Sequence, residues 1–241
     1  MTREKPIPFS AQMVRAILNG TKTQTRRMLK QFLPCCPEHD SARGVWEVYN
    51  GDEVAAVLRC PYGRPGDRLW VRETWMPDAP RNGEWPDVEF YGCGMSPRSL
   101  IPECYRHPWH VLHRATYEGC ELVGWKPSIH MPRWASRITL EVTAIRVERL
   151  QDISEADAKA EGASYHNGLG VGHSGWRHDD GAVHNDARSA YAQLWNSING
   201  PGSWDANPWV WVVEFALTTT SKGGAEAARQ REKERLMSGI L

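Results

Sequence analysis

The sequence predicts an α+β fold with a mostly antiparallel sheet or a small barrel. Three observations lead there: an amphipathic helix pattern near the start, several short apolar segments typical of strands, and two further helix patterns before a last apolar strand. The 241 residues suffice for a sizeable hydrophobic core in one large domain or two small ones. We expect one domain over residues 1–218, with a long loop and strand insertion at about 77–134 and a charged tail at 219–241.

The composition excludes several classes of protein. Lys and Arg number 29, as do Asp and Glu, so the net charge is zero and the chain is not a uniformly basic coat for nucleic acid. The hydrophobic share of 41% is that of a folded protein. The sequence contains no apolar run of about 18 residues and no apolar leader, which predicts a cytoplasmic protein without membrane contact. We expect its six cysteines to be reduced.

The first elements are a helix, an extended segment and a hairpin. Ser10 can cap a helix whose apolar residues recur at helical spacing, and Gly20 is a natural stop, so we predict a helix over about 10–19. The alternating threonines of residues 21–27 indicate entry into an extended segment. Turn residues around 45–57 indicate a hairpin.

The second half alternates strands and helices. Ser154 and Asp157 match a capping box, which predicts a short helix that ends at Gly162. Residues 163–184 are rich in Gly and His and are predicted to form a mobile loop. The remaining predictions are strands over 68–75, 136–150 and 208–217 and a helix over 186–199.

Lys22 and Thr25 are the first candidates for chemistry. A threonine hydroxyl is a poor nucleophile until a base takes its proton, and a lysine serves as that base only if its pKa is lowered. Arg26 and Arg27 supply nearby positive charge of the kind that lowers it. The alternative is a solvated basic stretch that touches phosphates. Spacing alone leaves both interpretations open.

Two carboxylates and one tryptophan are further candidates. Glu161, on the last turn of its short helix, belongs either to a site or to the surface. Glu73 is either the carboxylate of a site or the salt-bridge partner of Arg72 or another arginine of a strand. Trp75 is placed either to stack on a base or to anchor the core.

We predict no metal and no cofactor. The cluster that suggests a metal consists of Cys104, His107, His110 and His113, which recur every three residues. A period of three fits neither helix nor strand, and no Cys-x-x-Cys pair occurs. The sequence also lacks a P-loop and a dinucleotide fingerprint. Four other histidines are predicted to lie in loops and shape a pocket: His166, His173, His178 and His184.

Several segments together resemble the ASCH domain family. Residues 20–27, Gly-Thr-Lys-Thr-Gln-Thr-Arg-Arg, are similar to its Gly-x-Lys-Thr-x-Thr-x-Arg signature after the first helix, and residues 65–71 are similar to its Gly-Asp-x-Leu strand entry. The segments 138–147, 153–162 and 209–215 look like its later strand, helix and closing strand. With its Trp-rich insertion, the chain resembles the larger ASCH proteins often carried by phages and prophages.

The resemblance implies a PUA-like fold, a small β-barrel with flanking helices, in a superfamily associated with RNA. One small bacterial branch hydrolyses the amide of N(4)-acetylcytidine and related nucleosides with a Lys, a Thr and a Glu, which match Lys22, Thr25 and Glu161. Thr25 would attack the amide carbonyl, Lys22 would take its proton, and Glu161 would orient Lys22 or pass the proton to the leaving amine. Arg27 matches the family's arginine and would hold substrate. Three further residues are assigned to substrate binding: Arg26, Glu73 and Trp75.

Three functions therefore stand open. The first is an amidohydrolase of N(4)-acylated cytosine nucleosides. The second is a non-catalytic module that binds RNA or a modified base through Lys22, Arg26, Arg27 and exposed tryptophans. The third is a ribonuclease with a histidine or glutamate as acid and base. The small hydrolases lack anything like segments 77–134 and 163–184, which would deepen an acyl pocket, block the site or form a polymer-binding groove.

Overall fold

The computed structural model describes residues 2–30, 35, 37–78, 101–119, 122, 124–168, 174–178 and 182–218. The predicted tail at 219–241, residues 79–100 of the predicted insertion and His173 lie outside the described residues. The fold is α+β, as the sequence predicts. Its helices are α1 (Ala11–Leu18), α2 (Glu155–Ala160) and α3 (Ala187–Asn199).

Strands make up most of the regular structure. In chain order they are β1 (Glu4–Pro8), β2 (Gln24–Met28), β3 (Glu38–Asp40), β4 (Val45–Asn50), β5 (Glu53–Leu58), β6 (Arg68–Arg72), β7 (Trp75–Pro77), β8 (Val111–His113), β9 (Thr139–Arg149), β10 (Ser164–His166), β11 (Gly175–Arg177) and β12 (Trp209–Leu217). Short 3₁₀ turns connect several of them, for example Arg133–Ala135 before β9.

The described strands form one five-stranded sheet and three smaller ones. The large sheet has the order β1-β6-β9-β12-β2, and β12 runs antiparallel to β2, with Val213 opposite Thr25 and Trp211 opposite Arg27. The smaller sheets are β3-β4-β5, β10-β11 and β7-β8, and all their pairs are antiparallel. Among the described residues, none of these sheets closes into a barrel.

Most predicted elements are present, and three predictions are wrong. The helix over 10–19 and the hairpin around 45–57 are confirmed as α1 and β4–β5. The chain begins with a strand, β1, before that helix. The predicted strand over 68–75 is two strands, β6 and β7. The predicted loop over 163–184 contains the β10–β11 hairpin, whose three-residue strands are too short for a recognisable alternation and are supported by the packing of Tyr165 on Trp176, with ring centroids 5.5 Å apart.

The described residues divide into two compact units. The first unit comprises the described residues within 2–3, 19–68 and 141–216. The second unit comprises the described residues within 4–18, 69–140 and 217–218. Both units are therefore assembled from separate stretches of the chain. The longest described helix has 13 residues, and none of the described helices is long and apolar enough to cross a membrane.

In the first unit, α2 and α3 pack on the face of β12 that carries Val210 and Val212. A capping box begins α2: the Ser154 hydroxyl accepts from the Asp157 N–H, and the Asp157 carboxylate accepts from the Ser154 N–H. The Glu155 carboxylate accepts hydrogen bonds from the first N–H groups of α3, at 3.1 and 3.0 Å. These bonds join the starts of the two helices.

The second unit has its own core around Trp75. The residues that pack there are fully or almost fully buried: Trp75, Ile101, Val111, Met131 and Ala135. Tyr105 and Trp134 cover them from the side. This unit therefore buries Trp75, the tryptophan predicted either to stack on a base or to anchor the core.

Candidate active site

The candidate site forms where the segment entering β2 runs beside the end of α2. Thr23 donates its N–H to the Ala160 carbonyl at 2.8 Å, and Lys22 forms an isolated antiparallel bridge with Glu161. Gln24 donates its side-chain amide to the Asp157 carbonyl at 2.8 Å. The motif and the helix are therefore joined through both main chain and side chains.

Lys22 and Glu161 form a buried ion pair. Lys22 Nζ lies 2.6 Å from Glu161 Oε2 and 2.9 Å from the Glu161 carbonyl oxygen. The exposed fractions of the two side chains are 0% and 2%. Glu161 ends α2, where carbonyl groups lack intrahelical partners, so one ammonium neutralises the carboxylate and also caps the helix. Gly162 follows with φ of 103°, which lets the chain turn away there.

Arg26 places a second cation on the same carboxylate. Its fully buried guanidinium lies 3.3 Å from Glu161 Oε1, 2.5 Å from Glu148 Oε1 and 3.4 Å from Asp157 Oδ2. Arg146 extends the network, with 2.9 Å contacts to Glu148 and Asp157. The Glu161 carboxylate therefore lies between two cations, and Arg26 is held by three acidic groups.

Burial lowers the pKa of Lys22 below its usual 10.5. The Glu161 carboxylate opposes this effect, and the charges of Arg27 and Arg26 add to it. The sequence-based idea that neighbouring arginines lower the pKa of Lys22 thus names a contributing cause, while burial is the larger one. The lowered pKa favours release of the Lys22 proton relative to that of an exposed lysine.

His178 and Tyr191 lie beside this pair, and neither was assigned to the site from the sequence. Burial and the charge of Lys22 lower the pKa of His178 to about 4. Burial and the charge of Glu161 raise the pKa of Tyr191 well above 10. The two rings are in edge-to-face contact, with centroids 5.9 Å apart. Tyr191 lies on the buried face of the helix predicted over 186–199, but no local pattern distinguished His178 from the other loop histidines.

Thr25 is buried in β2, with its side chain directed away from α2. Neighbouring side chains of a strand alternate between its faces. Gln24 and Arg26 both reach α2, so Thr25 and Arg27 belong to the opposite face, with Val213 and Trp211 as cross-strand partners. In the described part of the chain no hydrogen bond joins Thr25 to Lys22. The structure thus brings together Lys22, Glu161 and Arg26, with Thr25 and Arg27 on the other face of the strand.

Glu73 and Trp75 belong to the second unit, and their contacts there are structural. Glu73 accepts two hydrogen bonds from Arg137, both at 3.0 Å, and is buried. This is the ion-pair alternative of the sequence analysis, with Arg137 as the arginine. Trp75 is fully buried, and its ring meets Trp134 edge-on at 5.7 Å.

The histidine cluster considered for zinc is spread over separate contacts. His107 stacks on Trp109, His110 contacts Tyr105 edge-on, and His113 Nε2 lies 3.1 Å from the Ala135 carbonyl oxygen. Across the residues that the structure describes, no group of three or more His, Cys, Asp or Glu side chains is arranged to hold a metal ion.

The first unit thus contains a buried Lys22–Glu161 ion pair, a second cation and a neutral imidazole in one region. Such a set can deprotonate a nucleophile and return the proton to a leaving group. In comparisons with protein-family models, with curated proteins and with solved structures, this chain matches none.

Proposed function

We propose that this chain hydrolyses the amide bond of N(4)-acylated cytosine nucleosides, of the N(4)-acetylcytidine type, with Lys22 and Glu161 as the proton-transfer pair. The observation that carries the proposal is the buried 2.6 Å contact between Lys22 Nζ and Glu161 Oε2. It joins two residues that lie 139 positions apart in the chain and that match the catalytic Lys and Glu of the ASCH resemblance. A PUA-like arrangement of the α+β fold is part of the same proposal.

The pair supplies both proton steps of amide hydrolysis. Burial lowers the pKa of Lys22, which favours the neutral amine that would take a proton from the attacking hydroxyl. Glu161 accepts the proton from Lys22 and passes it to N(4) as the C–N bond breaks. The products are a carboxylic acid and the free cytosine nucleoside, so one water is consumed. Cytosine is a fair leaving group because its amine lone pair is delocalised into the ring.

The nucleophile is either Thr25 or a water molecule, and the two routes differ in their intermediates. The family resemblance implies Thr25, whose Oγ1 would carry the acyl group as an ester before water releases it. The placement of Thr25 on the other face of β2 from Gln24 and Arg26 favours direct attack by water. We therefore assign proton transfer to the buried pair of Lys22 and Glu161. The hydrolytic activity of Thr25 variants distinguishes the two nucleophiles.

The burial of Lys22 and Arg26 favours the hydrolase over the RNA-binding module. Phosphate contacts need exposed cations, because affinity for nucleic acid comes from charges that reach the backbone. The side chains of Lys22 and Arg26 are buried, and both bind carboxylates of the protein. Trp75 is likewise buried.

The test is absorbance-monitored hydrolysis of N(4)-acetylcytidine. We expect wild-type turnover that falls at least a hundredfold in Lys22→Met and in Glu161→Gln, because each removes one half of the proton route. Lys30→Met is the matched control, since Lys30 is exposed. Folded wild-type protein that leaves several acylated cytosines intact would refute the proposal, and salt-dependent binding of RNA would then support the binding module.

A further inference from the structure

One nitrogen of the His178 ring is buried without a hydrogen bond. Nε2 has no partner among the described residues. An unmade hydrogen bond at a buried polar atom costs about 1–3 kcal/mol, so native structures satisfy such atoms with water or a ligand. Trp75 and Trp195 also have unbonded ring nitrogens, but both lie in hydrophobic clusters. His178 lies beside a charged pair.

The β10–β11 hairpin brings His178 back to the end of α2. The chain leaves Glu161, enters β10 at Ser164 and returns along β11, whose last residue, Arg177, is paired with Ser164. His178 is the next residue, one position beyond this pair and therefore level with Ala163, two residues from Glu161. The hairpin is anchored on α2, because Lys159 Nζ lies 4.5 Å from the centroid of the Trp176 ring.

Helix α3 holds the imidazole from a second direction. The Tyr191 ring meets it at 62°, with centroids 5.9 Å apart. Tyr191 itself packs in the core cluster of the first unit, and the start of its helix is bonded to Glu155 of α2. The position of His178 is thus set by two elements that are each tied to the helix carrying Glu161.

We infer that His178 is a substrate-binding residue of this site, and that its Nε2 forms a hydrogen bond with the acylated amide edge of the cytosine base. The inference rests on the proposed function and adds a residue for which the ASCH resemblance supplies no counterpart. It also assigns a role to the β10–β11 hairpin, which delivers a polar group to the base.

The electrostatic environment suits this role. Burial and the charge of Lys22 keep the imidazole neutral at pH 7. A neutral imidazole offers one donor or one acceptor at Nε2, depending on its tautomer. The acylated amide presents both kinds of partner, the N(4)–H donor and the acyl oxygen. His178 therefore binds the base without adding a further cation beside Lys22, Arg26 and Arg27.

The experiment combines NMR with three substitutions. The side-chain ¹⁵N signals of His178 are followed in the wild-type protein as N(4)-acetylcytidine, or cytidine, is added. We expect the Nε2 signal to shift with nucleoside. His178→Gln places an amide near the Nε2 position and should keep KM within about fivefold, whereas His178→Asn reaches only the Nδ1 position and His178→Phe offers no hydrogen bond. We expect both to raise KM about tenfold or more, as the loss of one buried hydrogen bond predicts.

His166→Gln is the matched control, because His166 lies on the partner strand of the same hairpin. A wild-type titration that leaves the His178 signals unchanged with both nucleosides overturns the inference, whether or not hydrolysis is seen. Hydrolysis that is unaffected in His178→Phe overturns it while the proposed function stands. A His178 shift in a protein that does not turn over the substrate supports the inference and refutes the hydrolase. Recovery in His178→Gln separates binding from misfolding.

Discussion

Lys22 Nζ lies 2.6 Å from the Glu161 carboxylate and 2.9 Å from the carbonyl oxygen of the same residue, with both side chains buried. One ammonium thereby closes the end of a helix and neutralises an acidic side chain. Because Arg26 approaches the other carboxylate oxygen at 3.3 Å, the Glu161 carboxylate lies between two buried cations. This asymmetry predicts unequal effects of the two deletions.

Glu161→Leu is expected to destabilise the protein more than Lys22→Met. Removing Glu161 takes a carboxylate from two buried cations, Lys22 and Arg26, which costs about 3–5 kcal/mol, whereas Lys22→Met leaves Glu161 bonded to Arg26. The double variant should cost less than the sum of the two single variants, since each single variant already loses the Lys22–Glu161 contact. Urea unfolding of the three variants measures this. Equal costs for the single variants, or strict additivity in the double variant, would contradict the asymmetric pairing.

Thr25→Val is expected to keep most of the hydrolytic activity if water is the nucleophile. Val matches Thr in shape but lacks the hydroxyl, so an acyl-enzyme route would lose activity by several orders of magnitude. Thr25→Ser is the control, because it retains the hydroxyl with little added strain. Mass spectrometry of quenched reactions checks the same point. An ester on Thr25 in the wild type would establish the acyl-enzyme route and would contradict our expectation of direct attack by water.

Glu73→Gln is expected to lower stability without changing KM. The carboxylate is buried and takes two hydrogen bonds from Arg137, so its loss leaves that guanidinium short of negative charge at a cost of about 3 kcal/mol. Denaturant unfolding and steady-state kinetics below the unfolding transition separate the two effects. A rise in KM with unchanged stability would assign Glu73 to substrate binding, as the sequence-based prediction has it.

His113 predicts a loss of stability in acid. Burial is the main reason that the pKa of His113 falls from 6.5 to about 4. Between these values the unfolded chain binds a proton that the folded protein does not, so stability rises with pH there and is complete above pH 6.5. The pKa difference of about 2.5 corresponds to roughly 3 kcal/mol, lost as pH falls towards 4.

The measurement compares the wild type with His113→Gln, which retains a donor for the Ala135 carbonyl but does not titrate in this range. Free energies of unfolding at several pH values between 4 and 7.5 should converge for the two proteins as the pH falls. Parallel curves would show that the imidazole is protonated in the folded state as readily as in the unfolded one.

Local patterns in the sequence were sufficient for the elements that carry their own signals. The capping box at Ser154 and Asp157 placed α2, and helical periodicity placed α3 and α1. The wrong predictions concern strands of three to five residues: β1, the pair β6 and β7, and the hairpin of β10 and β11. Such strands are stabilised by cross-strand partners, which local propensity does not contain.

The sequence by itself determined which residues are of types suited to proton transfer and substrate binding. It also determined the two segments that carry the site: the Lys-Thr-x-Thr-x-Arg segment and the short helix that Glu161 caps. Only the tertiary structure decided that Lys22 and Glu161 meet, that Glu73 and Trp75 have structural partners in their own unit, and that His178 comes to the site. The reason is physical. Ion pairing, burial and the pKa values they set depend on distances between residues far apart in the chain, and those distances exist only once the sheet and helices have packed.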